Sequence, residues 1–343
     1  MIKVRVVETR AGWRQPSVIW FTALSMLIIG ALASLPLWGG AGIMRLTVEF
    51  LTLLALAQLW NLLAGYTGLV SIGQQAWIGI GGYALIVAVN DLGLPILLGL
   101  ALAGFIAMLL ALPAAGLLFR LRGGYFSVST WVMAEVLRLL VTNSTDWMRG
   151  GLGRTLDTGT LSRETRELLT YALAVVIGLG IVALVHLLMR TRSGLALIAI
   201  RDSEMAAASL GIETQRMKLY LYLLCASGTG IVGALIYLNL LRITPDAAFS
   251  VQWTAFMIFI VVIGGIGTIE GPIVGTIIFF ILRQFLSDFG EWSLILLGAV
   301  AVIMMMFAPE GVWGIIRRRW QFEIFPVQRR IGTDADDMHL PSH

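Results

Sequence analysis

The residues able to do chemistry in this chain are few, and their spacing excludes more than it permits. The only lysines are Lys3 and Lys218. Neither follows a glycine, so the Gly-Lys-Ser/Thr that closes a glycine-rich turn around nucleotide phosphates is missing, and any ATP hydrolysis must come from another polypeptide. His186, His339, His343 and the single Cys225 fall at no metal-ligand spacing, and one cysteine cannot form an intrachain disulfide. No metal, cofactor or catalytic residue is expected in this chain. Glu135 and Arg138 lie three apart inside an apolar run, where helical periodicity puts them on one face as a pair. Charges within a membrane span are costly and often functional; an ion pair near the outer helix end is the expectation, with substrate contact as the alternative. Gln58, Asn61, Gln74 and Gln75 surround a glycine-rich turn. They either bond a solute's polar groups or join helices, as membrane amides often do, and the second reading is preferred.

The most distinctive segment runs from Arg192 to Lys218, a charged insert between two long apolar runs. Asp202 or Ser203 supplies an N-terminal cap by accepting backbone N–H bonds. Gly211 supplies the C-terminal cap, because glycine takes the left-handed conformation at no steric cost. Between them Glu204 to Leu210 makes about two turns, with Glu204 at the positive dipole end. The result is a short peg whose alanine-rich face is a poor anchor in lipid, so a docking handle for a motor subunit is set against an interfacial helix.

The elements that hold these residues are membrane helices. The chain is 58% hydrophobic and 13% charged, with mean hydropathy +0.88, against about 25% charged in a typical soluble domain. A spanning helix needs roughly 20 apolar residues. The runs between charge clusters predict about ten: 18–38, 46–65, 76–90, 95–119, 125–141, 168–189, 217–241, 253–265, 272–285 and 292–307. The third, eighth and ninth are short and either borrow flanking residues or enter the bilayer without crossing it. The expected fold is an all-α polytopic membrane protein, a bundle of about ten transmembrane helices with a short cytoplasmic coupling helix. Residues 1–17 form a cytoplasmic segment, 18–316 the membrane domain with its coupling segment at 192–216, and 317–343 a solvated, mostly unfolded cytoplasmic tail.

With ten crossings and an inside amino end, sixteen of the 24 basic residues fall inside and eight outside, as short loops in membranes prefer. Both termini and the 192–216 segment are then cytoplasmic. The net charge of +4 reflects that orientation, and a nucleic-acid role has no separate support. The first apolar run ends in a cleavage-like Ala31-Leu32-Ala33, yet it is long enough to span and continues to Trp38, which predicts an uncleaved helix. The polar loop at 142–167 is the longest outer segment and a contact point for a delivery protein.

Two glycine-rich stretches stand out. One contains Gly65, Gly68 and Gly73 with Gln74 following, and the other contains Gly264, Gly265, Gly267 and Gly271. Both sit on the predicted cytoplasmic face and each joins an arriving helix to a departing one. They suggest a weak internal duplication of the kind found in transporters, with the glycines and Asn61 acting as pathway or hinge elements or as simple close-packing points.

The pattern Arg201-Asp202-Ser203-Glu204, Ala206-Ala207 and Leu210-Gly211-Ile212 resembles the coupling segment of bacterial ABC importer permeases. Together with GYTGLVSIGQQAWIGIGGY, GGYFSVSTWVMAEVLR and VIGGIGTIEGPIVG, it is similar to the LivM-type permeases of branched-chain amino acid importers over about residues 61–280. That resemblance implies a bacterial inner-membrane location and ATPase coupling through Arg201, Asp202, Glu204, Ala206, Ala207 and Gly211. It also implies a LivH-like second permease, two cytoplasmic ATPases of the LivG and LivF type that use the ATP, and a periplasmic substrate-binding protein. The Gly150-Gly151-Leu152-Gly153 run departs from the common pattern, which leaves urea and short amides beside amino acids as solutes. An ion-driven secondary transporter needs midspan carboxylates, and Glu135 is the only clear one. A membrane-embedded enzyme needs a paired constellation, and His186 stands alone, near a helix end where it serves the dipole.

Overall fold

A computed structural model describes residues 27, 29–144, 150–159, 161–286, 292–308 and 310–320. These form helices α1 (Ile29–Trp38), α2 (Ala41–Thr67), α3 (Gln75–Ile86), α4 (Ile96–Leu118) and α5 (Gly124–Asn143). After the outer loop come α6 (Arg163–Met189), α7 (Arg192–Asp202), α8 (Glu204–Ser209) and α9 (Thr214–Leu240). The chain continues through α10 (Pro245–Ala248), α11 (Val251–Gly264), α12 (Glu270–Leu286), α13 (Trp292–Phe307) and α14 (Gly311–Trp320). Among the described residues seven helical stretches are long and apolar enough to cross a bilayer. The runs expected at 18–38, 76–90 and 272–285 are represented by the shorter α1, α3 and α12. Residues 18–26 and 28 of the first run are outside the described residues, whereas the cleavage-like Ala31-Leu32-Ala33 lies within α1.

α2 is the axis of the bundle. From Leu51 to Thr67 it is buried on every side, which fits a helix whose polar residues, Thr52, Gln58 and Asn61, have no outward face to occupy. α6, α4 and the α13–α14 stretch expose far more of their length and carry almost unbroken apolar sequence, as lipid contact demands. α3, α4 and α9 meet through small residues. A side chain on Gly81 would run into the Gly230 backbone, and one on Gly230 would lie 2.6 Å from the Ala107 Cβ and 3.0 Å from the Ala103 carbonyl oxygen. Membrane helices gain little from apolar burial as such, so close backbone approach is the main source of packing energy.

The ends of the bundle differ. At one end lie the α2–α3 turn, the α11–α12 turn, the α7–α8 segment and α14. At the other, the loop after α5 is strapped down: β1 (Arg154–Thr155) pairs antiparallel with β2 (Arg242–Ile243), in register Arg154 to Ile243. Arg154 also grips Asp91 with both terminal nitrogens, at 2.7 and 2.5 Å. Asp91 closes a short π-helical turn, Val87–Asp91, that prolongs α3. Neighbouring Asn90 donates to the Thr155 carbonyl and accepts from the Asp157 N–H, both at 2.9 Å.

The first four residues of the expected tail are helical. Arg317 to Trp320 continue α14, whose buried Trp313 faces the bundle while Arg318 pairs with Glu310 at 2.5 Å. Basic residues in the last turn of a helix favour its extension through the dipole; residues 321–343 lie outside the described part.

The α3–α4–α9 contact makes a direct prediction. Gly230→Val overpacks a site with no free volume and is expected to cost about 1–3 kcal/mol, read as a lowered unfolding midpoint of the purified protein in detergent. Gly116→Ala, at a helical position with nothing within 4 Å, leaves the midpoint unchanged or raised.

Candidate functional site

The α2–α3 connection is a buried, non-helical break between two helices. α2 stops where Gly68 takes φ +73° and its N–H caps back to Ala64, and the chain then turns back into the protein as non-helical backbone before α3 begins. Ser71, Gly73 and Gln74 on this stretch are buried. Non-helical backbone buried inside a protein must be bonded by protein or by trapped water, and side chains supply the bonds here. Thr130 Oγ1 accepts from the N–H groups of Ile72 and Gly73, at 3.0 and 3.2 Å. Ser127 donates to the Val70 carbonyl at 2.6 Å, and the Trp60 indole donates to the Ser71 carbonyl at 2.8 Å. Gln74 Nε2 donates to Thr229 at 2.9 Å, while Gln75 exchanges bonds with Thr254. A side chain at Gly73 would collide with the Thr130 carbonyl.

The α11–α12 turn is held from α2. Asn61 Nδ2 donates to the Thr268 carbonyl and its Oδ1 accepts from the Gly267 N–H, both at 2.8 Å. Gln58 Nε2 donates to the Ile269 carbonyl at 2.7 Å. Within the turn, Thr268 Oγ1 donates to the Gly265 carbonyl and accepts from the Gly271 N–H, each at 3.0 Å. Gly265 and Gly267 take φ +131° and +77°, which L side chains rarely adopt. At Gly264 and Gly271 the obstacle is crowding, since a Cβ on either would meet the facing backbone of the same turn.

These two turns touch each other and α7, the helix before the peg. A Cβ on Gly65 would sit 2.6 Å from the Gly267 nitrogen. Arg201, in the last turn of α7, donates from Nη1 to the Gly65 carbonyl at 3.1 Å, and its other nitrogens bond Asp202 Oδ1 at 3.1 and 3.0 Å. Asp202 therefore ends α7 and braces Arg201, leaving the capping role to Ser203, whose Oγ accepts from the Ala206 N–H at 3.2 Å. The 192–216 segment is thus two helices, with Ser203 extended at the break. α8 ends in a Schellman turn: Ile212 N–H reaches the Ala207 carbonyl at 3.1 Å and Gly211 N–H the Ala208 carbonyl at 2.9 Å, with Gly211 at φ +84°. Glu204 pairs with Lys218 at 2.7 Å, tying the start of α8 to α9. Ala207 is buried and Ala206 faces outward with Met205 and Leu210, which are 82% and 79% exposed.

Structure brings together, in one cluster, most of the residues marked from sequence: Arg201, Asp202, Asn61, Gly65, Gly264, Gly265, Gly267 and Gly271. Gly68 lies at the edge of that cluster, and Gly73 and Gln74 lie deeper, on the extended stretch. Gln58 and Asn61, on α2, bond backbone groups of the α11–α12 turn. Thr130, Ser127, Thr229, Thr254 and Thr268 escaped notice, because a threonine in an apolar run carries no mark of a partner tens or hundreds of residues away. The Glu135–Arg138 pair forms, with the guanidinium bonding the Glu135 carboxylate at 2.6 to 3.1 Å. It has a third member unseen in the sequence, Asp246, at 2.6 Å from Arg138 Nη1.

The model of a family described as "Branched-chain amino acid transport system / permease component" matches residues 42–309. The high-affinity branched-chain amino acid transport system permease protein LivM of Escherichia coli is 28% identical over 337 residues, covering 88% of this chain and 78% of that protein. Its Salmonella typhimurium counterpart is 28% identical over 288 residues, 75% of this chain; the alignment spans 66%, just under two thirds, of that protein's length. A probable LivM of Methanocaldococcus jannaschii is 22% identical over 66% of this chain and 69% of its own length. No solved structure matches at a significant level. The family match covers the α2–α3 break, the peg and the α11–α12 turn alike, and the chain belongs to the branched-chain amino acid transport system permease family.

Proposed function

We propose that this chain is one permease subunit of an ATP-driven ABC importer of the bacterial inner membrane, carrying branched-chain or other small amino acids. Its partners on this reading are a LivH-like second permease, two LivG- and LivF-like ATPases that hold the nucleotide, and a periplasmic binding protein that delivers the solute. The observation that carries the proposal is the Arg201–Gly65–Gly267 junction. An exposed peg bearing Met205 and Leu210 offers an ATPase an apolar foothold, and the helix before it is bonded to the point where two buried turns meet. A displacement of the peg reaches both turns without passing through a flexible linker. Solute binding alone shifts access only by its differential affinity for the two states, so net uptake needs the hydrolysis performed by the partner subunits.

The basic residues at the peg end, Arg120, Arg122, Arg190, Arg192, Arg216 and Lys218 with Arg317 to Arg319, support a cytoplasmic assignment for that end. The strapped loop at the opposite end is the periplasmic face on which a binding protein docks. The full count of about ten crossings belongs to the same proposal: α1, α3 and α12 complete their crossings with flanking residues, α3 through the extended stretch before it and the π-helical turn after it.

Two experiments test this reading. In vesicles holding the co-expressed permease pair and ATPases, Arg201→Ala and Gly211→Val are each expected to cut the stimulation of ATP hydrolysis by loaded binding protein. A coupling of 1–3 kcal/mol corresponds to about 5–150-fold. Gly211 has open space around its Cα, so its variant acts through the backbone of the peg alone. Stimulation that is unchanged in both variants removes the docking role. Separately, a reporter fused after Arg201 is expected to read as cytoplasmic and one after Gly153 as periplasmic; the reverse pair of signals overturns the orientation.

A further inference from the structure

Two phenols near the strapped end are buried without a partner. Tyr83 on α3 and Tyr237 on α9 are each 1% exposed, and among the described residues neither hydroxyl has a hydrogen-bond partner. A buried tyrosine usually sets its O–H against a donor or acceptor, and an orphaned one loses its hydration with nothing in return. The two are neighbours. A Cβ on Gly82 would lie 2.4 Å from the Tyr237 ring, so Tyr237 packs on α3 beside Tyr83, and the two hydroxyls lie within electrostatic reach of each other. The Trp253 indole N–H beside Tyr237 is spent on the Ala247 carbonyl at 3.0 Å.

What covers them is the four-residue helix α10 and the Phe249 that follows it. Pro245, Ala248 and Phe249 are buried while Asp246 and Ala247 are exposed, so α10 has one face on the bundle and one turned outward. Phe249 stacks on Tyr83, with ring centroids 6.4 Å apart and planes 23° apart. Its ring occupies the space above Gly79, where a Cβ would meet it at 2.6 Å. On its outer face α10 is tied to α5 by Arg138 and Asp246 at 2.6 Å, and an ion pair whose carboxylate is this exposed is a weak tie. A cover that never moved would be served better by phenylalanine at 83 and 237, which keeps the rings and removes both orphaned groups. The hydroxyls are of use only where the cover leaves them.

We infer that α10 and Phe249 form a lid at the strapped end, and that the Tyr83 and Tyr237 hydroxyls are the groups it uncovers to water and to the hydrogen-bond acceptors of a solute. Closed, the lid gains ring stacking and burial; open, it gains the bonds of two phenols. Neither state then lies far below the other, and a ligand that bonds the hydroxyls shifts the balance toward the open one. The inference takes from the transporter reading only that the strapped end meets the solute.

The test uses the full chain co-expressed with its partner subunits in membrane vesicles. Ala248→Cys puts a thiol on the buried face of α10 and Ala247→Cys one on the exposed face, and the native Cys225 is buried. A hydrophilic maleimide is expected to label position 247 fast and position 248 slowly, the ratio reporting how often the lid lifts. Asp246→Asn, which removes the outer tie, speeds labelling at 248 about threefold. Tyr83→Phe and Tyr237→Phe, which delete bonds made only in the open state, each slow it about fivefold. They also leave the unfolding midpoint of the purified chain unchanged or raised. Position 248 unlabelled even with Asp246→Asn, or labelled at a rate that neither phenylalanine variant slows, overturns the lid; a lowered midpoint in both variants overturns it too, since the hydroxyls then bond trapped water under a fixed plug. Should Ala248→Cys not accumulate, amide exchange at Ala248 and Phe249, whose N–H groups bond the Thr244 and Pro245 carbonyls, reads the same opening in the native sequence and the two phenylalanine variants, with the same order expected. Absence of ATP-dependent amino acid uptake by the unmodified assembly refutes the transporter reading, whereas the labelling rates need no turnover and decide the lid by themselves.

Discussion

Backbone hydrogen bonding under lipid is the constraint on which this structure depends. Every N–H and C=O in the bilayer interior needs a partner from the protein, and helices provide it automatically. Two of the places where the chain leaves the helix, the stretch before α3 and the α11–α12 turn, are where buried polar side chains gather. Asn61 and Gln58 on α2 bond three backbone groups of the α11–α12 turn. Thr130, Ser127 and Trp60 bond four backbone groups of the stretch before α3. Asn61 and Gln58 are turned toward main chain, which accounts for amides at the most buried level of α2.

That arrangement makes α2 the common support for both turns, and the peg reaches the same support through Arg201. Charge balance follows the same economy. Arg201 is neutralised by its neighbour Asp202, so it can reach a backbone carbonyl without leaving a bare cation against the membrane, and Glu204 and Lys218 pair across the α8–α9 junction. The strapped end uses stronger ties, the Arg154–Asp91 bidentate pair among them, where charge-assisted bonds hold a loop to the bundle.

Much of this was legible in the sequence, because local physics governs it. Helix positions followed from apolar runs between charge clusters, and the bounds of α4, α9 and α13 fall within a few residues of expectation. The Gly211 cap was visible because a helix end leaves unsatisfied carbonyls that only a left-handed residue can close. The Glu135–Arg138 pair was visible because three residues on a helix make neighbours. What escaped lies between distant segments: Asp246 joining Arg138 from 108 residues away, and Arg201 reaching Gly65 across 136 residues. The choice between Asp202 and Ser203 as cap also escaped, since it turned on Asp202 being engaged by Arg201. The helical start of the tail was hidden by its charge, which reads as solvated chain until Trp313 is seen buried beneath it.

The glycines at 65 and 267 look in sequence like points of flexibility. Their surroundings are tight: no side chain fits between them, and an asparagine bonds one to the helix of the other. Swivelling within either turn would tear polar contacts that nothing in hydrocarbon can replace. On the importer reading proposed above, access would change by tilting whole segments about that junction as a fulcrum, and the inward and outward shapes would differ least around Gly65 and Gly267.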